Sequence, residues 1–521
     1  MVCLTFTMTL ILARKNYEQW QGITHLWWPP CQLRPATAYR LILMEDMAFA
    51  DYDYEFAQDE EGEDYLDYYD EDVYELPVGE SWEEEEEETN MSTGASMSEL
   101  YEYCVVPTVS DSSQHLYSLL AWSLIFLLTT RIVRPPAWLV HLMSATCGGI
   151  VTWGMFGHRC SYMVCLLAVG GLVLSLSHFV LKSRRGPFTC VSCVAFLIAC
   201  ELWLADPVDW HSIRGPQMII LMKVVSVGFD LDSSSLSRLP NILEMVGYIL
   251  NPGTVIFGPW ISFSSYKRVL QPFSWNLRLV LGVIIHLITC MIFLLLSTCF
   301  ALWMVPDSIN KWAQAFRDAF SFRSSHYFVS YLSVTSAQLS GLDIREVARP
   351  AYIEIPRSLV EVVVYWNMPM HYWLKTYIFK TARNWFGIFW AILFTYSMSS
   401  LFHGLNFQLA AVLLSLGFYT YVEHSLRVKL ASIFDACVLA RPCPEKCHHQ
   451  YKKWSWIGIF INISFSVLAM VHLAYLGIMF DSNSQEQETG YSLSHTLSKW
   501  ASLSYSSHWI IFVCYIMYIL I

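Results

Sequence analysis

Long apolar windows recur along this chain, and they constrain its fold more than any other feature. Each window is close to the roughly 20 residues with which an α-helix crosses the hydrocarbon core of a bilayer. Only 15% of the 521 residues are charged, whereas soluble globular domains carry about 25%. The windows cover residues 116–134, 136–156, 161–181, 187–205, 242–261, 279–305, 385–401, 403–423, 456–480 and 507–521.

We therefore predict an all-α, polytopic helical membrane protein with about ten or eleven transmembrane helices and re-entrant segments. The apolar runs are continuous, whereas the strands of a membrane β-barrel alternate apolar and polar residues, so a barrel is excluded. Two shorter apolar stretches, 217–229 and 326–342, are the candidates for broken or re-entrant helices.

The negative charge of the chain is concentrated near its N-terminus. Residues 51–90 contain twenty Asp or Glu and no Lys or Arg, and removing them from the net charge of −12 leaves +8. Such a segment cannot bury enough apolar surface to fold. We predict a disordered N-terminal region, 1–114, that includes this acidic tail, followed by a membrane domain, 115–521. A solvated tail without specific function is favoured over one that attracts a basic protein substrate.

The first 45 residues carry no clear targeting signal. The apolar run from Cys3 to Ala13 is too short to span a membrane and has no basic residues before it, so it makes a poor signal peptide. Met44 or Met47 is a plausible alternative start, which would leave the acidic tail as the N-terminus.

The basic residues between the windows predict an orientation. The turns at 131–136 and 182–186 hold two and three Lys or Arg, whereas the turn at 157–161 between them holds one. The positive-inside rule makes the two richer turns cytosolic. The loop 424–453, with six Lys or Arg, is then also cytosolic. The acidic tail becomes luminal, and its sequon at Asn90 is a predicted glycosylation site.

The fifteen cysteines show no spacing typical of a disulfide framework. Many lie inside apolar windows, as do Cys147, Cys193 and Cys299. We interpret these as small buried hydrophobic residues.

One cytosolic loop concentrates five groups that bind metals well. They are Cys437, Cys443, Cys447, His448 and His449. Four such ligands are enough for zinc. The spacing lacks the paired ligands of known zinc fingers, so we favour S-acylation or plain juxtamembrane thiols and predict no metal site.

Two polar side chains in the C-terminal half are costly to place at membrane depth, which points to a functional site. Asn367 lies two residues before Pro369, which blocks a regular helix, so the exposed backbone must face a cavity. His403 opens the apolar run that ends at Val422. The two residues are 36 positions apart with one predicted helix, 385–401, between them, a spacing that lets them meet.

A neutral imidazole can take a proton from an alcohol, and a fixed amide can donate to a thioester carbonyl. We predict His403 and Asn367 as the catalytic residues. Nearby side chains either line a substrate channel or form an aromatic belt at the membrane interface: Trp366, His371, Tyr372 and Trp373. No intramembrane Ser or Cys lies in a nucleophile elbow, so we expect no covalent acyl-enzyme.

The pattern Trp366-Asn367-x-Pro369-x-His371-x-Trp373, followed by an apolar-flanked His, resembles the signature of the membrane-bound O-acyltransferases. Further blocks resemble the branch of that family that acylates secreted Wnt proteins. They are Trp210–Met218, Gly228–Asp232, Phe257–Phe263, Tyr421–His424 and His472–Gly477.

This resemblance implies a protein-serine O-acyltransferase of the endoplasmic reticulum membrane. A fatty acyl-CoA co-substrate, palmitoleoyl-CoA, would enter from the cytosol and a Wnt-like secreted acceptor from the lumen, meeting at His403. Asn367 would position or polarise the thioester. It implies no permanently bound cofactor and no nucleic-acid partner. The alternatives are a family member that acylates a small lipid, and a non-enzymatic multipass transporter, to which intramembrane Asn and His are equally natural.

Overall fold

The computed structural model describes residues 96–521 except 182, 272–276, 307, 445–446 and 481–492. The acidic tail and Asn90 lie outside the described residues, and so does nearly all of the predicted disordered region 1–114. The described part is helical apart from turns, loops and an isolated β-bridge between Ala436 and Tyr451.

The α-helices are numbered here in chain order. The first ten are Met97–Leu100 (α1), Val106–Leu128 (α2), Ala137–Phe156 (α3), Cys160–Val180 (α4), Arg185–Ala199 (α5), Pro207–Asp232 (α6), Ile242–Ile249 (α7), Phe263–Tyr266 (α8), Leu277–Leu295 (α9) and Ala301–Met304 (α10). The next ten are Lys311–Leu339 (α11), Pro350–Glu354 (α12), Leu359–Trp366 (α13), Met368–Trp373 (α14), Lys380–Phe386 (α15), Ile388–Phe402 (α16), Phe407–Phe434 (α17), Trp456–Gly477 (α18), Leu493–Ser502 (α19) and Ser506–Leu520 (α20).

Short turns of other helix types join several of these helices. The π-helical turns are Tyr101–Val105, Thr129–Val133, Cys200–Leu204, Leu296–Phe300 and Leu374–Phe379, and the 3₁₀ turns are Gly157–Arg159 and Lys267–Leu270.

Within the described residues, six helical segments are long and apolar enough to cross a membrane, or seven if α19 and α20, bent by 73°, form one span. The six are Leu116–Val133, Ala137–Val180, Arg185–Leu204, Leu279–Met304, Phe407–Phe434 and Trp456–Gly477. The second of them contains two helices, α3 and α4. This confirms the predicted all-α, polytopic membrane class, while the count of ten or eleven spans stays a prediction.

The assignment of 217–229 and 326–342 as broken or re-entrant helices is wrong. The stretch 217–229 lies within α6, of 26 residues, and 326–342 lies within α11, of 29 residues, up to its last residue, Leu339. Both are buried almost throughout by neighbouring helices. Their polar residues therefore find partners inside the protein, and hydropathy alone cannot reveal such a helix because it does not face lipid.

The window 242–261 is not one span, which corrects a second expectation. It is helical only in α7, and the chain from 250 to 262 is irregular and mostly buried. The Lys223 ammonium, fully buried on α6, donates to the carbonyls of Tyr248 and Ile249 at 3.2 and 3.1 Å and to Thr254 Oγ1 at 2.8 Å. These bonds satisfy the last carbonyls of α7 and stabilise the end of the helix there.

The long polar helix α11 carries a buried charge network. Arg323 donates two hydrogen bonds to the Glu354 carboxylate, at 2.7 and 2.8 Å. The Tyr327 hydroxyl donates to the same carboxylate at 2.7 Å. Because both charges are paired and hydrogen-bonded, the helix can hold them inside the protein.

A disulfide joins Cys104 to Cys299, which contradicts the interpretation of Cys299 as a simple buried thiol. The two residues are 195 positions apart in the sequence. The two cysteines come together only when the chain before α2 packs beside the end of α9. Their separation in the sequence therefore gave no indication that they form a disulfide. Disulfides persist in oxidising compartments, which agrees with the predicted luminal side of the first span.

Candidate active site

Asn367 occupies the junction between α13 and α14. Its side-chain Oδ1 accepts a hydrogen bond from the Met370 backbone N–H at 2.9 Å, which makes it the N-cap of α14. Pro369 lies in the first turn, where a missing N–H costs nothing. Because Oδ1 is held in this way, the two N–H donors of the same amide project to the other side of the side chain.

The start of α13 is fixed by a buried carboxylate. Glu423 on α17 accepts the Leu359 backbone N–H at 2.8 Å and the Arg427 Nε–H at 2.6 Å. A negative charge at a helix N-terminus is stabilising, and its partner Arg427 is fully buried with it. The block Tyr421–His424, singled out in the sequence without a role, therefore positions the helix that ends at Asn367.

His326 on α11 holds the other end of α13. Its Nε2–H donates to the Trp366 carbonyl at 2.7 Å, and its ring stacks on the Trp366 ring at 4.4 Å. Sequence reasoning missed this residue, although a His inside an apolar stretch is itself a signal for function. Its contacts fix the peptide that immediately precedes Asn367.

His403 follows α16 as its C-cap. Its backbone N–H donates to Ser400 and its carbonyl accepts from Arg214 Nη1 at 3.2 Å. The residue is partly exposed, and among the residues that the structure describes none hydrogen-bonds its imidazole. The backbone is thus anchored while the ring remains able to exchange a proton.

Gly404 allows the chain to turn away after His403. Its φ is +86°, and a Cβ there would lie 2.9 Å from Glu201 Oε1. The Leu405 N–H donates to both Glu201 carboxylate oxygens at 2.8 Å, and Trp210 also bonds this carboxylate. The space beside Gly404 is therefore filled by the Glu201 carboxylate.

Trp373 connects the two candidate catalytic segments. It is the last residue of α14, and its ring packs edge-on against Phe402 with 5.3 Å between centroids. Its indole N–H donates to the Met222 carbonyl at 3.1 Å, and its side chain is fully buried. The helix that begins after Asn367 therefore ends against the residue before His403, and Trp373 contributes packing at this contact.

The other predicted substrate-binding residues surround this contact with varying exposure. Tyr372 is 41% exposed and stacks over Trp260 at 6.2 Å. Trp366 and His371 are half-buried. Lys375 and Arg441 lie close enough to His371 for their charges to act on it. Contact of these side chains with substrate stays a prediction.

Residues 108–470 match the membrane-bound O-acyltransferase family. The chain belongs to this family. It is 38% identical over 454 residues to the protein-serine O-palmitoleoyltransferase porcupine of Homo sapiens, covering 81% of this chain and 97% of the relative. The porcupine of Anopheles gambiae is 34% identical over 467 residues, with coverage of 82% and 94%. Lysophospholipid acyltransferase 1 of Arabidopsis thaliana is 20% identical over 324 residues, with coverage of 51% and 68%.

Membership of the membrane-bound O-acyltransferase family makes this chain an O-acyltransferase and confirms the resemblance read from its motifs. The alternative of a non-enzymatic transporter is therefore wrong. Both Asn367 and His403 lie inside the matched region. Their assignment as the catalytic pair stays a prediction.

Proposed function

We propose that this membrane-bound O-acyltransferase transfers a palmitoleoyl group from palmitoleoyl-CoA to a Ser hydroxyl of a secreted Wnt protein at the endoplasmic reticulum membrane. Relatives named protein-serine O-palmitoleoyltransferase match over four fifths of the chain. The observation that carries the proposal is the packing of Trp373 on Phe402, which joins the helix that begins after Asn367 to the residue before His403.

His403 is the general base of this reaction. The acceptor hydroxyl gives its proton to the imidazole while its oxygen attacks the thioester carbonyl. The new C–O bond forms, the C–S bond breaks, and the imidazolium returns the proton to the departing CoA thiolate. Proton transfer of this kind contributes about 10²–10⁴-fold to the rate. The anchoring of the His403 backbone by Arg214 keeps the ring in position for both transfers.

Asn367 stabilises the negative charge that develops on the carbonyl oxygen. Its amide orientation is set by the bond that Oδ1 accepts from the Met370 N–H. One such donor is worth about 10²–10³-fold in kcat. Glu423 and His326 act through Asn367, because they fix the two ends of α13.

The two substrates approach from opposite sides. Lys375 and Arg441, next to His371, supply positive charge for the phosphates of CoA at the cytosolic side. The Wnt acceptor enters from the lumen. The disulfide Cys104–Cys299 supports this orientation, because it requires an oxidising compartment at that end of the helices.

A direct test uses the purified full-length chain with radiolabelled palmitoleoyl-CoA and three acceptors. These are a Wnt-derived peptide with the acceptor Ser, the same peptide with that Ser replaced by Ala, and a lysophospholipid. We expect an ester, resistant to neutral hydroxylamine, on the Ser peptide only. Faster acylation of the lysophospholipid would contradict the proposal and assign the chain to the lipid-directed branch.

A further inference from the structure

Four side chains of the loop between α17 and α18 converge on one point. The Sγ atoms of Cys437, Cys443 and Cys447 and a ring nitrogen of His449 all lie within 4.8 Å of one another. Three of the six pairwise distances are 3.3 Å between Cys437 Sγ and Cys447 Sγ, and 3.7 and 3.6 Å from His449 Nδ1 to Cys437 Sγ and Cys443 Sγ. The neighbouring His448 is exposed and does not belong to this group.

These separations suit a tetrahedral ion better than a disulfide. Zinc bonds of about 2.3 Å to sulfur and 2.0–2.1 Å to nitrogen place two ligand atoms about 3.4–3.8 Å apart. A disulfide would need about 2.05 Å between sulfurs. Three thiolates and one imidazole are a ligand set that zinc commonly takes in structural sites.

The loop is built so that distant ligands meet. The Cys437 N–H donates to the Tyr451 carbonyl at 2.8 Å, and the Tyr451 N–H donates to the Asp435 carbonyl at 2.9 Å. This short bridge closes the base of the loop and brings Cys437 opposite His449. Cys443 and Cys447 have one spacing that zinc ligands use, but Cys437 and His449 do not form a second such pair, so the sequence alone did not reveal the site.

Two basic side chains form hydrogen bonds with the cluster, and their positive charge stabilises thiolates. Lys452 Nζ donates to Cys447 Sγ at 3.4 Å. Arg357 Nη2 donates to the Cys437 carbonyl at 3.1 Å. Such bonds to ligand atoms and ligand backbones orient and stabilise a metal site. The positive-inside rule places the loop in the reducing cytosol, where thiols stay available to bind metal.

We propose that Cys437, Cys443, Cys447 and His449 hold one structural zinc ion. All four positions are filled by protein, so the ion has no open position for a substrate or water, which is typical of structural rather than catalytic zinc.

The zinc-bound loop braces the helix that ends at Asn367. Arg357 donates to the carbonyls of Cys437 and Leu439, and Ser358, the N-cap of α13, donates to the Ala440 carbonyl at 2.9 Å. Loss of zinc would free these carbonyls and loosen the start of α13. The effect of this bracing on catalysis rests on the proposed function of Asn367, whereas the metal site itself does not.

The metal site is tested by elemental analysis of the full-length protein purified without chelators in a reducing detergent buffer. We expect about one zinc per chain in the wild type and less than about one third of that in His449→Ala and Cys443→Ser, because three ligands leave the ion open to exchange. The matched controls His448→Ala and Cys165→Ser should keep the wild-type content. Zinc at buffer background in the wild type would overturn the proposal.

Two further outcomes of the same preparation would also overturn it. One is equal zinc in His449→Ala and His448→Ala. The other is an intact mass or peptide map that shows a disulfide between Cys437 and Cys447, or a fatty acyl group on any cysteine of the cluster, in most molecules.

The bracing role is tested by hydrogen exchange and activity in the same variants. Peptides covering 357–366 should exchange faster in His449→Ala than in His448→Ala, and kcat should fall at least tenfold with a smaller change in KM for acyl-CoA. Unchanged exchange and kcat after zinc loss would overturn the bracing role. A wild-type protein that holds zinc but transfers no acyl group would instead refute the proposed function and leave the metal site standing.

Discussion

Replacement of Gly404 by Ala tests whether the turn after His403 sets the position of the base. Gly387, at the opposite end of α16, is a matched control. Its φ of +76° is also positive, but among the described residues a Cβ there meets no atom within 4 Å. Both substitutions place an Ala in an unfavourable backbone conformation. Of the two, only Gly404→Ala also brings its Cβ too close to a neighbouring side chain, Glu201.

The structure gives the size of this difference. A non-glycine residue held at such positive-φ conformations costs about 1–3 kcal/mol. At Gly404 the new Cβ lies 2.9 Å from Glu201 Oε1, so this flexible carboxylate must shift, which weakens its bonds with the Leu405 N–H. A hydrogen bond to a charged group is worth about 1.5–3 kcal/mol. We therefore expect losses of about 1–3 kcal/mol for Gly387→Ala and at least about 1 kcal/mol more for Gly404→Ala, whose carboxylate bond is weakened.

The assay compares thermal unfolding in detergent and kcat for acyl transfer to the Ser peptide. Gly387→Ala should keep wild-type kcat. Gly404→Ala should lose about tenfold or more, since a displacement of about 1 Å at a reacting group can cost about 10²-fold. If the two variants share one unfolding midpoint and one kcat, the contact of Glu201 with this turn does not position His403.

Three other changes follow from the same geometry. Asn367→Ala should lower kcat by about 10²–10³-fold with little change in KM for acyl-CoA, and a raised KM at constant kcat would make it a binding residue instead. Glu423→Gln should destabilise the protein by about 3–5 kcal/mol, because it leaves the buried Arg427 charge unpaired, and an unchanged unfolding midpoint would contradict this. Deletion of residues 1–95 should leave transfer to a short peptide within about threefold, since screened surface charge contributes little, and loss of activity in a monodisperse truncation would refute it.

The sequence predicted the membrane class and the two polar positions because both depend on local chemistry. Continuous apolar runs are visible without tertiary contacts, as in Leu279–Met304. Asn367 and His403 were noticed because an amide and an imidazole are costly inside lipid. These signals need only the residue and its immediate neighbours.

Features that depend on distant contacts were missed. Nothing near Lys223 in the sequence shows that its ammonium reaches the carbonyls of Tyr248 and Ile249 and stabilises the end of α7. The disulfide Cys104–Cys299 likewise needs two helices to pack first. Hydropathy does not identify α6 and α11 as long buried helices, for a related reason. A helix surrounded by other helices can carry polar side chains that would be unfavourable in contact with lipid.

Residues that position others were the hardest to find in the sequence. Glu423 and His326 do not need to contact the substrate to matter, because each holds one end of α13. Their importance depends on their contacts with α13. These are tertiary contacts, which the sequence alone does not show.

Single-turnover acyl transfer by His403→Ala is the most direct measurement of the central claim. The purified variant is mixed with labelled palmitoleoyl-CoA and the Ser peptide, beside His178→Ala, which removes an imidazole from the separate helix α4. We predict that His403→Ala loses at least about 10²-fold in rate, on the scale of general-base catalysis, while it unfolds at the wild-type midpoint and still binds acyl-CoA. His178→Ala should keep the full rate. A folded His403→Ala that transfers the acyl group at a rate near the wild type would contradict the account.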